Sequence, residues 1–111
     1  MRRFVVRNTI ILSFDGDRLD NAVGSQLLAR ITSRMGEGAT DVVIDFAFNT
    51  SIDFAGARAV ARASVIVGPG RLHLAGLDSR ARSLLRAVRV AERVHLVEWW
   101  TEAVEDVAQA A

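Results

Sequence analysis

Short apolar runs alternate along this chain with longer stretches in which apolar residues return every third or fourth position. Phe4-Val5-Val6 and Thr9 to Phe14 are rich in β-branched and aromatic residues and predict two strands, joined at Arg7-Asn8 as a hairpin. Asp15-Gly16-Asp17 is a turn signal. Asp20 or Asn21 then caps a helix whose Val23, Leu27, Leu28 and Ile31 make one apolar face, with Arg30 and Arg34 off it and Gly36 and Gly38 closing it. Val42 to Phe46 is a near-continuous apolar run, too short for a helix and too apolar for an edge strand, so it predicts a central parallel strand. A helix follows over Phe54 to Val67. Its inner side is Ala55, Ala59, Val60, Ala63 and Val67, Arg58 and Arg62 lie one turn apart outside, and Gly68-Pro69-Gly70 ends it. Leu72-His73-Leu74 is a further strand. Asp78 or Ser79 caps a helix with Ala81, Leu84, Leu85 and Val88 inward, Val94 to Val97 is a last strand, and Glu102 to Ala110 a last helix.

The order β-β-α-β-α-β-α-β-α implies right-handed crossovers and an α/β fold, a mostly parallel mixed sheet of four to five strands packed with about four helices. At 111 residues the chain is expected to form a single domain over residues 1–111, with no internal repeat or linker.

Composition narrows the chemistry. A net charge of +1 argues against a protein built to grip nucleic acid, and the absence of cysteine excludes disulfides, thiolate metal sites and thiol catalysis. All 14 basic residues are arginine, which fits a GC-rich bacterial source. Arg7, Asn8 and Thr9 interrupt the first apolar stretch, and no run approaches the roughly 18 residues of a spanning helix. A cytoplasmic location without direct membrane insertion is expected.

The position of greatest interest is the start of the third-quarter helix, where Ile52-Asp53 meets Phe54-Ala55-Gly56. Backbone N–H groups at such a helix start lack intrahelical acceptors and suit anions or partner proteins. Asp53 serves first as the helix cap. Phe54 has two readings. It turns inward and staples the helix start to the sheet, or it stands exposed as an apolar anchor for a partner.

The other constellations carry less. His73 and His95 lack converging partners and fit structural or surface roles. Asp15, Asp17 and Asp20 lack the spacing of a calcium loop, and Gly68-Pro69-Gly70 lacks the residues of a phosphate loop. Arg80, Arg82, Arg86, Arg89 and Arg93 fit a solvated helix face. Trp99-Trp100 cannot both be buried at a strand end, so one is part-exposed. No nucleophile–base pair or metal cluster emerges, so neither an enzyme nor a cofactor or metal is expected.

Several signatures occur together in order. Phe14-Asp15-Gly16-Asp17-Arg18-Leu19-Asp20 resembles a "G-x-L-D" turn with one extra residue after the glycine, and Val42-Val43-Ile44-Asp45-Phe46 a "V-V-L-D-L" strand. Ile52-Asp53-Phe54-Ala55-Gly56 aligns with "I-D-S-S-G", and Gly70-Arg71-Leu72-His73-Leu74-Ala75-Gly76 with "G-x-L-x-L-x-G". Through these motifs nearly the whole chain resembles a STAS domain, the fold of bacterial anti-sigma-factor antagonists. The resemblance implies a non-enzymatic regulatory module of transcription and signalling. Its protein partner would be an anti-sigma factor or kinase, or another STAS protein, with a homodimer left open.

In that family the residue after the aspartate is the serine or threonine that a cognate kinase phosphorylates. Here it is Phe54, and Ala55 stands where a second serine is usual. The phosphorylation switch is therefore expected to be absent at its normal position. Thr50 and Ser51 carry hydroxyls but precede the helix. The resemblance places partner binding on Asp53, Phe54, Ala55 and Gly56, with Asp20, Asn21, Arg58 and Arg62 around them. Two alternatives remain open: a cytoplasmic accessory subunit of a lipid or anion transport system, and a small-ligand sensor.

Overall fold

Strand β4 (Asp41–Asp45) is apolar on both faces, with Val42, Val43 and Ile44 each at most 1% exposed, and it occupies the middle of a five-stranded sheet ordered β1-β2-β4-β6-β7. The computed structural model of the chain describes residues 2–6, 8–14, 16–48 and 50–110, and of residues 2–6, 109 and 110 the backbone alone. β1 (Arg2–Val6) and β2 (Thr9–Ser13) pair antiparallel, as the hairpin expectation requires; Arg7 in their connection lies outside the described residues. β2, β4, β6 (Leu72–Ala75) and β7 (His95–Val97) run parallel to one another.

Because successive strand residues point to opposite faces, the sheet buries two apolar surfaces. On one face Ile10, Leu12, Val42, Ile44, Leu72 and Leu74 form the main core. Over it lie α1 (Asn21–Gly36), α2 (Phe54–Val67) and α3 (Ser79–Ala87), contributing Leu27 and Ile31, Val60 and Ala63, and Ala81 and Leu85. On the other face Ile11 and Val43 pack with Trp100, Ala103 and Val104 of α4 (Trp100–Ala110). Helices α1 and α2 approach closely at Gly24, where a Cβ would stand 2.7 Å from that of Ala59.

The structure departs from the sequence expectation in two additional strands and in several element ends, such as β2 ending at Ser13 rather than Phe14 and β4 spanning Asp41–Asp45 rather than Val42 to Phe46. Two further strands, β3 (Arg18–Leu19) and β5 (Ser51–Ile52), pair parallel as a separate ladder. At two residues each they are too short to carry a periodic signal. The last strand starts at His95 rather than Val94. The last helix starts at Trp100 rather than Glu102, because the Glu102 carboxylate reaches back to accept the Trp99 N–H at 3.2 Å, half of a capping box.

Parallel strands bring their C-terminal ends to one edge. The loops after β2, β4, β6 and β7, and the starts of all four helices, therefore gather there. This is the edge that carries Asp53.

Candidate functional site

Helix α2 begins at Phe54 because Asp53, in extended conformation, accepts the Gly56 N–H on its side chain at 2.8 Å. Its carbonyl accepts the Ala57 N–H at 2.9 Å. Asp20 does the same for α1, accepting the Val23 N–H at 3.0 Å. The β3–β5 ladder connects the two caps. It pairs Leu19 with Ile52, so Asp20 and Asp53, the next residues of each strand, lie side by side. A bond from Ser51 N–H to the Asp17 carbonyl at 2.9 Å extends the ladder. The "G-x-L-D" turn and the "I-D-x-x-G" turn are thus one structural unit, and the starts of α1 and α2 emerge from it together.

Gly56 is buried on this unit. A Cβ there would overlap the Leu19 carbonyl oxygen. Its role is to let the first turn of α2 sit directly on β3. Thr50 is also architectural. It is 4% exposed, and its hydroxyl lies 3.1 Å from the Gly16 carbonyl and 3.2 Å from that of Phe46, tying the β2–β3 and β4–β5 connections together. Ser51 is exposed but lies in β5.

Phe54 is 67% exposed. The inward, stapling reading is therefore incorrect: as the first residue of α2, Phe54 points away from the sheet that Ala57 and Val60 face. Ala55 is half-buried, not fully inward, and shares a groove of about 50 Å³ between α1 and α2 with Asn21, Arg58 and Arg62. Asp20 instead lines a separate open cleft of about 440 Å³ with Phe14, Asp17, Arg18 and Arg30. Asp15, the remaining member of the acidic turn, lies outside the described residues. The Gly56 N–H is occupied by Asp53 itself, so the helix start is closed at that donor to an outside anion.

The histidines meet at the opposite edge of the sheet. His73 is 3% exposed, with Nε2 3.3 Å from the Asp41 carboxylate, and its ring stacks on His95 at 4.9 Å. Burial pushes its pKa below 6.5, against the opposing hydrogen bond from Asp41. Its Nδ1 has no hydrogen-bond partner among the described residues. No group of three or more metal-ligating side chains occurs among the described residues. No helix among them is long and apolar enough to cross a membrane.

Phe48 escaped the sequence reading. It is 44% exposed and meets Trp99, 58% exposed, edge to face at 5.4 Å. Trp100 turns the other way, into the small core beneath α4. The adjacent tryptophans are thus split as their spacing requires.

The architecture is that of a STAS domain. The anti-sigma factor antagonist SpoIIAA in its unphosphorylated form matches with a TM-score of 0.79 at 21% identity, over 97% of this chain and 96% of that one. The phosphorylated form of SpoIIAA, the Bacillus cell fate determinant, matches with a TM-score of 0.71 at 21% identity, over 96% and 97%. TM1081 from Thermotoga maritima matches with a TM-score of 0.79 at 13% identity, over 96% and 93%. At these identities the likeness establishes the fold. No protein-family model and no curated protein matches the sequence.

Proposed function

We propose that this chain is a non-enzymatic regulatory domain of the bacterial cytoplasm, similar to the anti-sigma factor antagonists. It would bind an anti-sigma kinase or a STAS assembly without a phosphorylation switch at the usual position. The observation that carries the reading is Phe54: a phenylalanine 67% exposed on the first turn of the helix that the STAS fold presents behind Asp53. A large apolar ring in solvent at a helix start contributes little to the core, whereas aromatic residues anchor protein interfaces. SpoIIAA exists in phosphorylated and unphosphorylated forms. A phosphoryl group adds about −1.5 to −2 charges at neutral pH and so alters the face a partner meets. Phe54 and Ala55 have no oxygen to carry one. Thr50 has its hydroxyl buried against two carbonyls, which leaves Ser51 as the exposed hydroxyl of this turn.

In this reading Phe54 and Ala55 meet the partner directly. Asp53 and Gly56 hold the corner in place, and Asp20, Asn21, Arg58 and Arg62 form its periphery. The test is capture of a purified anti-sigma kinase on the immobilised chain, wild type against Ala55→Glu, with intact mass recorded after incubation with ATP. Capture by the wild type, loss with Ala55→Glu and an unchanged mass are expected. Undiminished capture by Ala55→Glu, or a phosphate on Ser51 that releases the partner, overturns the reading.

A further inference from the structure

The Phe48–Trp99 pair is a built feature. After β4 the chain would continue its alternation and send Phe48 to the same face as the buried Phe46. Instead Ala47 and Phe48 both take positive φ, 55° and 63°, a conformation L residues avoid and one that marks a bulky residue as an outlier. Three hydrogen bonds from backbone N–H groups hold it. The Ala47 N–H donates to the Asp45 carboxylate at 3.0 Å, the Phe48 N–H to the Gly76 carbonyl at 2.7 Å, and the Gly76 N–H to the Glu98 carbonyl at 3.1 Å. Gly76 is required there, since a Cβ would stand 2.6 Å from the Ala47 nitrogen. The loops after β4, β6 and β7 are thus stitched side by side, and the outcome is two aromatic rings held in solvent rather than in the core. Strained residues persist where the surrounding structure holds them, and such outliers concentrate at binding sites.

The charges around the rings select the occupant. Carboxylates flank the pair: Asp45 accepts the Ala47 N–H at 3.0 Å, Glu102 accepts the Trp99 N–H at 3.2 Å, and the exposed Glu98 directly precedes Trp99 in the chain. This acidic flank is unlike the chain as a whole, which has a net charge of +1. Exposed aromatic faces carry negative quadrupole charge, and beside carboxylates they attract a cationic side chain, arginine most often. A neutral apolar ligand would gain from the rings and nothing from the acids.

We propose that Phe48 and Trp99, with the flanking carboxylates of Asp45, Glu98 and Glu102, receive an arginine-bearing basic segment of the protein partner. The proposal deepens the docking reading of this edge and rests on it. Isothermal titration of the full chain with an oligo-arginine peptide, and with an oligo-glutamate peptide of equal length, tests it. The arginine peptide binds and the glutamate peptide does not. Trp99→Ala weakens arginine-peptide binding by about tenfold, within the range of a desolvated cation–π contact. Trp99→Phe, which keeps a π face, retains most of it, and Glu98→Gln flattens its salt dependence. Trp99 is exposed, so the alanine variant folds, and circular dichroism confirms that. Equal binding of both peptides, or unchanged arginine-peptide binding by both Trp99→Ala and Phe48→Gly, overturns the proposal. In the kinase capture assay, loss with Ala55→Glu but full capture by Trp99→Ala also overturns it and leaves the docking reading standing. Full capture by both variants removes the docking reading itself.

Discussion

Gly56 packs so tightly under Leu19 that a Cβ at residue 56 would overlap the Leu19 carbonyl oxygen. The obstacle is backbone, fixed by the β3–β5 ladder and by the Asp20 cap that follows it, so it cannot swing aside as a side chain would. We expect Gly56→Ala to destabilise the fold by about 2 kcal/mol, as overpacking does. The gain in helix propensity of about 1 kcal/mol offsets only part of the clash. Gly36, the last residue of α1, would place its Cβ in open space, so Gly36→Ala leaves stability unchanged or raises it. Urea unfolding of the two variants checks the contrast.

This relationship also marks where the sequence stopped being informative. The bounds of α2, its Asp53 cap and the central position of β4 were legible, because a cap residue, a 3.6-residue period and an uninterrupted apolar run are local signals. The β3–β5 ladder was not, since two-residue strands carry no period and their pairing is set by the turns around them. Alternation along β6 puts His73 on the face opposite Leu72 and Leu74, but its burial comes from α4 closing over that face, a tertiary event. Phe48 was missed for a sharper reason: Ala47-Phe48 holds no glycine, asparagine or aspartate to announce two positive-φ residues. Of the candidate site, the cap and the missing hydroxyl were visible in sequence. That Phe54 is exposed and that Gly56 is buried required the packing of α2 on β3.

Phe54 separates stability from function. It is 67% exposed, so Phe54→Ala and Phe54→Ser are each expected to change stability by no more than about 0.5 kcal/mol. Phe54→Ser restores a hydroxyl directly after the Asp53 cap. Incubation of that variant with ATP and a kinase that captures the wild-type chain should add one phosphoryl group, read by intact mass, while the wild type gains none at this position. A drop in melting temperature for both variants as large as for a core residue would show that the ring is structural.

The turn at Phe48 predicts an inverted glycine–alanine order. In helices and strands, glycine is less favourable than alanine by roughly 0.5–1 kcal/mol. At φ 63° the preference reverses, because a left-handed conformation costs an L residue about 1–2 kcal/mol that glycine does not pay. Phe48→Gly should therefore be more stable than Phe48→Ala by about 1 kcal/mol, measured by thermal or urea unfolding. The order at Val65, exposed in the last turn of α2, should run the ordinary way. Alanine above glycine at both sites would mean that residue 48 is not held in the left-handed region.

His73 gives the fold a pH dependence of known sign. Its pKa in the folded chain is lowered from 6.5, first by burial and then by the neighbouring His95, against the opposing pull of Asp41 and of Asp106 on α4. Above the unfolded value neither state binds the proton and nothing is lost. As the pH falls, the unfolded chain takes up the proton before the folded one does, so the difference in bound protons favours unfolding. The stabilisation present above 6.5 is lost as the pH drops through the folded value. Thermal melts should therefore show wild-type stability declining as the pH falls below about 7. His73→Leu fills the buried site between Leu72 and Leu74 with an apolar side chain and removes the titrating ring. That variant should show a shallower decline over the same range, even if its absolute stability differs because Asp41 has lost its partner. Parallel curves for the two proteins would assign the slope to other groups and remove His73 as its source.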